Sequence, residues 1–262
     1  MTAPPDASGP AWAARLPAFA RAWFEGEPPI ILGRISWFVF LVWSTVGLAI
    51  MATGFSGETI RSWGLSPALE RIALACLGWG DFLFLFFAGC VVFATAWHAL
   101  GTAFTVRAAL TIMIGSGVVE TIGTLTGFPF GAYTYLGRMG PQIGPLPLAI
   151  PVAWWLVVGG FYLTGRRLLP LAPARMLCLG TALAATAFDY ILEPFAWRVR
   201  GYWVWHDGAI PLQNYAAWFA LSFILARATP LHRAAPQRLD LRPAGALTLT
   251  VLLFILGRLA AR

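Results

Sequence analysis

Lysine is missing from this 262-residue chain, and all 18 basic residues are arginine. A seven-helix retinal protein needs a lysine in its last span to form the Schiff base, so that class is excluded at once. Histidine is scarce too, limited to His98, His206 and His232. These do not form the HxxxH or HxxHH boxes with which membrane di-iron hydroxylases and desaturases ligate metal, which argues against oxygen chemistry on iron. The three cysteines, Cys76, Cys90 and Cys178, are scattered, odd in number and matched to no metal spacing, so they read as packing residues. The partial GSGVVE at Gly115 lacks the strand and βαβ unit that a dinucleotide fingerprint requires. Its glycines read as helix-packing positions. Charge of any sign is sparse, at 11% of residues, against roughly 25% in a soluble domain. The net charge of +7 is spread over loops rather than gathered in a nucleic-acid patch.

What the chain has in abundance is apolar surface. Hydrophobic residues make up 59% of it and the mean hydropathy is +0.72, the composition of an integral membrane protein. Apolar runs of about 20 residues, the length that crosses a bilayer core, fall at roughly 31–52, 78–97, 108–128, 145–165, 174–195, 211–227 and 243–260. They predict an all-α fold, one polytopic transmembrane bundle of about seven spans. Arg34, near the start of the first run, can snorkel to the interface; a six-span alternative stays open. Residues 1–29 hold six prolines and no pattern of a cleaved signal peptide. Trp12, Leu16, Phe19 and Trp23 recur there at helical spacing with Arg15 and Arg21 between them. That spacing suits a short helix on the membrane surface, which Pro17 opposes, and a loose tail is the alternative. Residues 30–262 are then a single transmembrane domain.

With seven spans, eleven arginines fall on the side of the N-terminus and seven on the other. The positive-inside rule then predicts a cytoplasmic N-terminus. Alternation of the spans places Asp81, Glu120, Asp189 and Glu193 toward the opposite side, together with two unusual loops, TGFPFGAYTYLGRMGPQIGPLPLAIP and EPFAWRVRGYWVWHDGAIPLQN. Helical geometry puts Ser116, Gly117, Gly123 and Thr124 on the face of Glu120, followed by Gly127, with Ile112, Val118, Val119, Ile122 and Leu125 opposite. The same operation puts Ala182, Ala185, Thr186 and Glu193 on the face of Asp189. Small residues on both faces predict close helix contact, bringing three carboxyls toward one interior site. Asp81 and Asp207, near span ends, read more plainly as ion-pairing or capping acids. An ionisable group at membrane depth costs about 2.5 to 3.5 kcal/mol even on insertion scales, so Glu120, Asp189 and Glu193 read as functional. Tyr202, Trp203 and Trp205 have a plain alternative as an interfacial aromatic belt.

Several motifs occur in order: G-x-x-E-x-x-G-x-x-T-G-x-P-F-G-x-Y-x-Y ending at Tyr135, P-L-x-I-P-x-A-W from Pro147 to Trp154, D-x-x-L-E-P from Asp189 to Pro194, G-Y-W-x-W from Gly201 to Trp205, and I-P-x-x-N-Y-x-x-W from Ile210 to Trp218. Together these resemble the integral-membrane carotenoid biosynthesis proteins, a family that includes hydratases of γ-carotene-type and bacterioruberin-type precursors. The resemblance runs from about span two to span six. Ala217 stands where a glycine is expected before the tryptophan, a departure that touches packing rather than chemistry.

The resemblance implies a cofactor-independent enzyme of a bacterial or archaeal cell membrane that adds water across the terminal C1=C2 bond of an acyclic carotenoid end, without metal, nucleotide or flavin. It also implies catalytic roles for Asp189, Glu193 and Glu120. Substrate-binding roles fall to Tyr133, Tyr135, Trp154, Trp203, Trp205, Asn214 and Trp218. An unactivated alkene must first be protonated at C2 to leave a tertiary cation at C1, and an acid in an apolar site can hold the necessary proton at neutral pH. A second, ionised carboxylate orients and deprotonates the water, and aromatic faces stabilise the cation. Expected partners are the carotenoid, water and membrane lipid, with other enzymes of the pathway as possible associates. A carotenoid cyclase would share the first steps. A prenyltransferase would need an aspartate-rich diphosphate motif, which is lacking, and a proton-coupled transporter would show an internal repeat, which is not evident.

Overall fold

The computed structural model describes residue 17, residues 22–54 and residues 56–260. Of the anticipated surface helix, Trp12, Leu16 and Phe19 lie outside the described residues, and Trp23 stands in a 3₁₀ turn, Ala22–Phe24. Each apolar run of the sequence forms one helical rod. The first three are α1 (Pro28–Thr53), α4 (Gly80–Leu100) and α5 (Thr102–Thr126), with two short helices, α2 (Gly57–Ser62) and α3 (Pro67–Gly78), between the first and second. The fourth rod joins α6 (Ala149–Trp154) to α7 (Gly160–Leu168) through a π-helical turn, Trp155–Gly159. The last three are α8 (Ala174–Pro194), α9 (Leu212–Ala228) and α10 (Arg242–Ala260). Five of the rods, α1, α4, α5, α8 with its π-helical extension to Arg200, and α10, are long and apolar enough to cross a membrane. Of the remaining two, α9 has only 17 residues, and the fourth ends on the arginine pair Arg166 and Arg167.

Local chemistry sets the ends. Two prolines open α1, where their missing N–H groups cost nothing. At its far end Gly54 closes the helix with φ 63°, a left-handed cap that glycine adopts without steric penalty. The fourth rod is the centre of the bundle, with every residue from 154 to 160 buried. Around it stand α4, α5, α8, α9 and α10, and α1 packs outside α4. The outer faces remain apolar: Val118, Ile122 and Leu125 of α5 are exposed, as are Phe38, Val42 and Val46 of α1. Such surfaces belong in lipid.

Ile112 corrects the expected faces of α5. It is fully buried, because the buried positions Thr105, Ala108, Ala109, Ile112, Ser116, Glu120 and Gly123 advance by threes and fours along one stripe. Gly115 and Gly117 are packing positions, as their spacing suggests. A methyl group at Gly115 would meet Leu225 of α9 at 2.8 Å, and one at Gly117 would meet Leu146 at 3.3 Å.

The two ends of the bundle differ. At one, strand β1 (Tyr133–Tyr135) pairs antiparallel with β4 (Trp203–Trp205), in the register Tyr133 with Trp205 and Tyr135 with Trp203. A second small ribbon, β2 (Gln142–Ile143) with β3 (Leu146–Pro147), lies between them in sequence. The loops after the third and fifth rods therefore do share one end, as alternation requires. At the other end the 229–241 connection ties back to α4, where Ala235 N–H donates to Ala99 O at 3.3 Å and Thr95 Oγ1 to Asp240 Oδ1 at 3.3 Å.

Candidate active site

The β1–β4 ribbon matters because alternate residues of a strand point the same way. Tyr133 and Tyr135 on one strand, and Trp203 and Trp205 on the other, turn one aromatic face toward the bundle, while Val204 points out. Trp203 and Trp205 are thus buried beneath the ribbon rather than set in a membrane-surface belt, and their indole N–H groups find partners inside. That corrects the belt reading.

The ribbon lands on two of the three carboxyls. Tyr133 and Tyr135 both donate to Glu120 Oε2, at 2.7 and 2.8 Å, and Trp154 Nε1 donates to Oε1 at 2.8 Å. Trp203 and Trp205 donate to Glu193 Oε2 at 3.2 and 2.9 Å. Burial, and after it the adjoining Glu120 carboxyl, pushes both phenols well above the ordinary tyrosine range, so they stay protonated donors. Trp154, which reaches Glu120 from the central rod, also stacks on Trp218 of α9 with ring centroids 4.1 Å apart.

Asp189 is built differently. It lies one turn before Glu193 on the inner face of α8, and both acids are almost completely buried, at 1% and 2% exposure. Asn214, in the first turn of α9, spans them: its Nδ2 donates to Asp189 Oδ2 at 2.7 Å and to Glu193 Oε1 at 3.3 Å. The second oxygen of Asp189, Oδ1, is buried without a hydrogen-bond partner among the described residues. Among those residues Asp189 accepts one donor, where Glu120 and Glu193 each accept three.

Gly123 makes the ribbon's approach possible. Its Cα faces the folded-back loop so closely that a methyl group there would sit 2.7 Å from Phe130 Cδ2 and 3.2 Å from the Tyr133 hydroxyl. Gly123→Ala is expected to lower the melting temperature by the equivalent of about 1–3 kcal/mol of overpacking despite alanine's better helix propensity, and to reduce activity. An unchanged melting temperature and rate would mean that the loop has slack at this point.

All ten residues singled out in the sequence line one cavity of ≈ 610 Å³, among them Tyr133, Trp154, Asn214 and Trp218 together with the three acids. The sequence reading missed how far the cavity extends. It continues past Phe84 of α4 and Phe254 of α10 to α1 and the short helices α2 and α3. The signals for that pair were ordinary helix starts, Ser56 before α2 and Ser66-Pro67 before α3, but runs of 6 and 12 residues are too short to count as spans. Asp81, read as an ion-pairing acid, pairs with Arg200, whose Nε also donates to the Tyr202 hydroxyl at 3.2 Å. This cluster lines the same cavity.

Residues 80–260 match a protein family described as carotenoid biosynthesis protein. The match begins at the first residue of α4 and takes in α10, one rod beyond the motifs recognised in the sequence. Over 106 residues the chain is 32% identical to the bisanhydrobacterioruberin hydratase of Haloarcula japonica, a stretch covering 38% of this chain and 36% of that relative. No solved structure matches this chain.

Proposed function

We propose that this chain, which belongs to the carotenoid biosynthesis protein family, is a hydratase that adds water to the terminal C1=C2 bond of an acyclic carotenoid end by acid catalysis. One observation carries the reading: a buried carboxyl with an unpartnered oxygen, Asp189 Oδ1, stands in a largely apolar cavity beside two carboxyls already supplied with donors. The partial likeness to a named hydratase supports the same class of reaction.

In this mechanism Asp189 carries the proton on the oxygen that no neighbour occupies. It delivers that proton to C2, and the positive charge develops at C1 because a tertiary cation is the more stable. The stacked pair Trp154 and Trp218 offers π faces to the cation. Glu120 and Glu193, each met by several donors, fit the ionised state, since a protonated carboxyl would set its own O–H against those donors. Glu193 orients a water for attack at C1 and accepts the proton that water loses. One helical turn and the shared Asn214 link it to Asp189, to which the proton returns, so one water is consumed and the acid is regenerated.

The test is incubation of membranes with an acyclic carotenoid in H₂¹⁸O under nitrogen, followed by mass measurement. The expected product carries one ¹⁸O per hydrated end. Oxygen drawn only from O₂ would sink the hydratase reading, and ring formation without oxygen would replace it with a cyclase.

For orientation, we place the ribbon end of the bundle outside the cytoplasm, on the strength of the arginine count. In a chain whose exposed native Cys76 is replaced by serine, cysteine introduced at the exposed Asp207 is expected to react with an impermeant thiol reagent on intact cells. Cysteine at Leu171, 96% exposed at the other end, is expected to stay unlabelled. The reverse pattern inverts the topology.

A further inference from the structure

The cavity that holds the carboxyls is graded in exposure along its length. Its deep end, made by Glu120, Asp189, Glu193, Asn214 and Trp154, is closed over by the ribbon, and each of those residues is at most 5% exposed. Lining residues at the other end reach the surface: Val46 of α1 is 44% exposed and Trp63, just after α2, is 57% exposed. Cys76 of α3, also a lining residue, is exposed too. Among the described residues the exposure gradient therefore points to a tunnel closed at the acids and opening between α1 and the α2–α3 pair. Beyond the acids its charged lining residues are Asp81 and Arg200, which neutralise each other.

Taking the carotenoid reading as its basis, we infer that the α1/α2–α3 mouth is the entry site for the polyene, which threads in end-first from the bilayer. Size supports partial rather than complete enclosure. Cavities of about 300–1,000 Å³ enclose a drug-sized ligand, so ≈ 610 Å³ accommodates an end group and part of a long chain, and the remainder stays in lipid. The outer surface of the mouth suits that arrangement. Leu69 and Ile72 of α3, with Trp79 after it, are exposed at 55%, 60% and 49%, apolar side chains that rest well against a membrane surface. Because a single blind end meets the acids, each end group requires its own entry, and the far end of the substrate is not read.

Two residues make the inference testable without touching the acids. Cys76 supplies a native thiol at the mouth. Gly47, inside α1, lines the tunnel with open space around its Cα, whereas Gly180, on the exposed face of α8, has equal space and lies outside the tunnel. In bilayer discs, an acyclic carotenoid at ten times its Kd leaves roughly one site in eleven free, so N-ethylmaleimide should modify Cys76 about tenfold more slowly, as read on the Cys76 peptide by mass spectrometry. Gly47→Trp should lose carotenoid binding, measured by the shift in polyene absorption, while Gly180→Trp keeps it. Should Gly47→Trp fail to fold, protection of Cys76 in the unaltered chain decides alone. Undiminished Cys76 modification in a protein that still forms ¹⁸O-labelled product overturns the entry site and leaves the hydratase reading standing. Protection of Cys76 without any hydrated product does the reverse, upholding the entry site and removing the proposed chemistry.

Discussion

Asp189→Asn is expected to yield a folded, membrane-inserted protein that accumulates unhydrated carotenoid. The substitution is nearly isosteric, and the new side-chain oxygen can still accept from Asn214, so the 2.7 Å contact now made by Oδ2 has a replacement. The amide nitrogen takes the place of Oδ1, which has no partner to lose. Nothing in the packing is sacrificed, whereas the acidity is gone. Loss of a positioned acid costs about 10²- to 10⁴-fold in rate, or roughly 3–5 kcal/mol of transition-state stabilisation. Product formation per mole of inserted protein, set beside the thermal stability of the same sample, checks both halves of the expectation. Near-native turnover would remove Asp189 from the donor role.

Glu120→Gln should fail in a different way, losing stability together with activity. Three donors converge on this carboxyl, two phenols on Oε2 and one indole on Oε1. An amide has one accepting oxygen, and its NH₂ must face whichever donors the oxygen does not serve. At least one buried N–H or O–H is then left without an acceptor, at about 1–3 kcal/mol. The Tyr133 and Tyr135 side chains would lose their hold on α5, and the ribbon that covers the acids would loosen with them. A lower melting temperature together with severely reduced hydration is the expected result, and Tyr133→Phe with Tyr135→Phe should reproduce part of the stability loss. Glu120→Gln that is inactive but fully stable would instead transfer the donor role to Glu120. Comparing the two variants separates an acid that reacts from one that holds the site together.

Much of this was readable in advance because a bilayer constrains sequence so tightly. Seven apolar runs had to become helices, since backbone polar groups in hydrocarbon must be satisfied within the segment. The acids at 120, 189 and 193 stood out for the same reason: ionisable groups at membrane depth are expensive and seldom idle. Helical periodicity put Asp189 and Glu193 on one face, and alternation of the rods put the two aromatic loops at one end. Period-two spacing in YTY and WVW was also visible, although its meaning was not. The register that sets Tyr133 opposite Trp205 depends on where two loops about seventy residues apart meet, and no local pattern encodes that distance.

Hydrogen-bond assignment was likewise decided only by the tertiary structure. From the chain alone, Glu120, Asp189 and Glu193 are three similar carboxyls; folded, two are surrounded by donors and one keeps an unpartnered oxygen, a distinction made by Trp154, Asn214 and the ribbon arriving from different rods. The mouth at α2–α3 escaped notice because short amphipathic helices carry weak periodic signals and because cavities are defined by what neighbouring elements leave unfilled. The sequence determined by itself that this is an apolar helical bundle with acids at membrane depth, since lipid acts on each segment separately. Which acid is unpartnered, and where the tunnel opens, depended on contacts between segments, which exist only once the rods have packed.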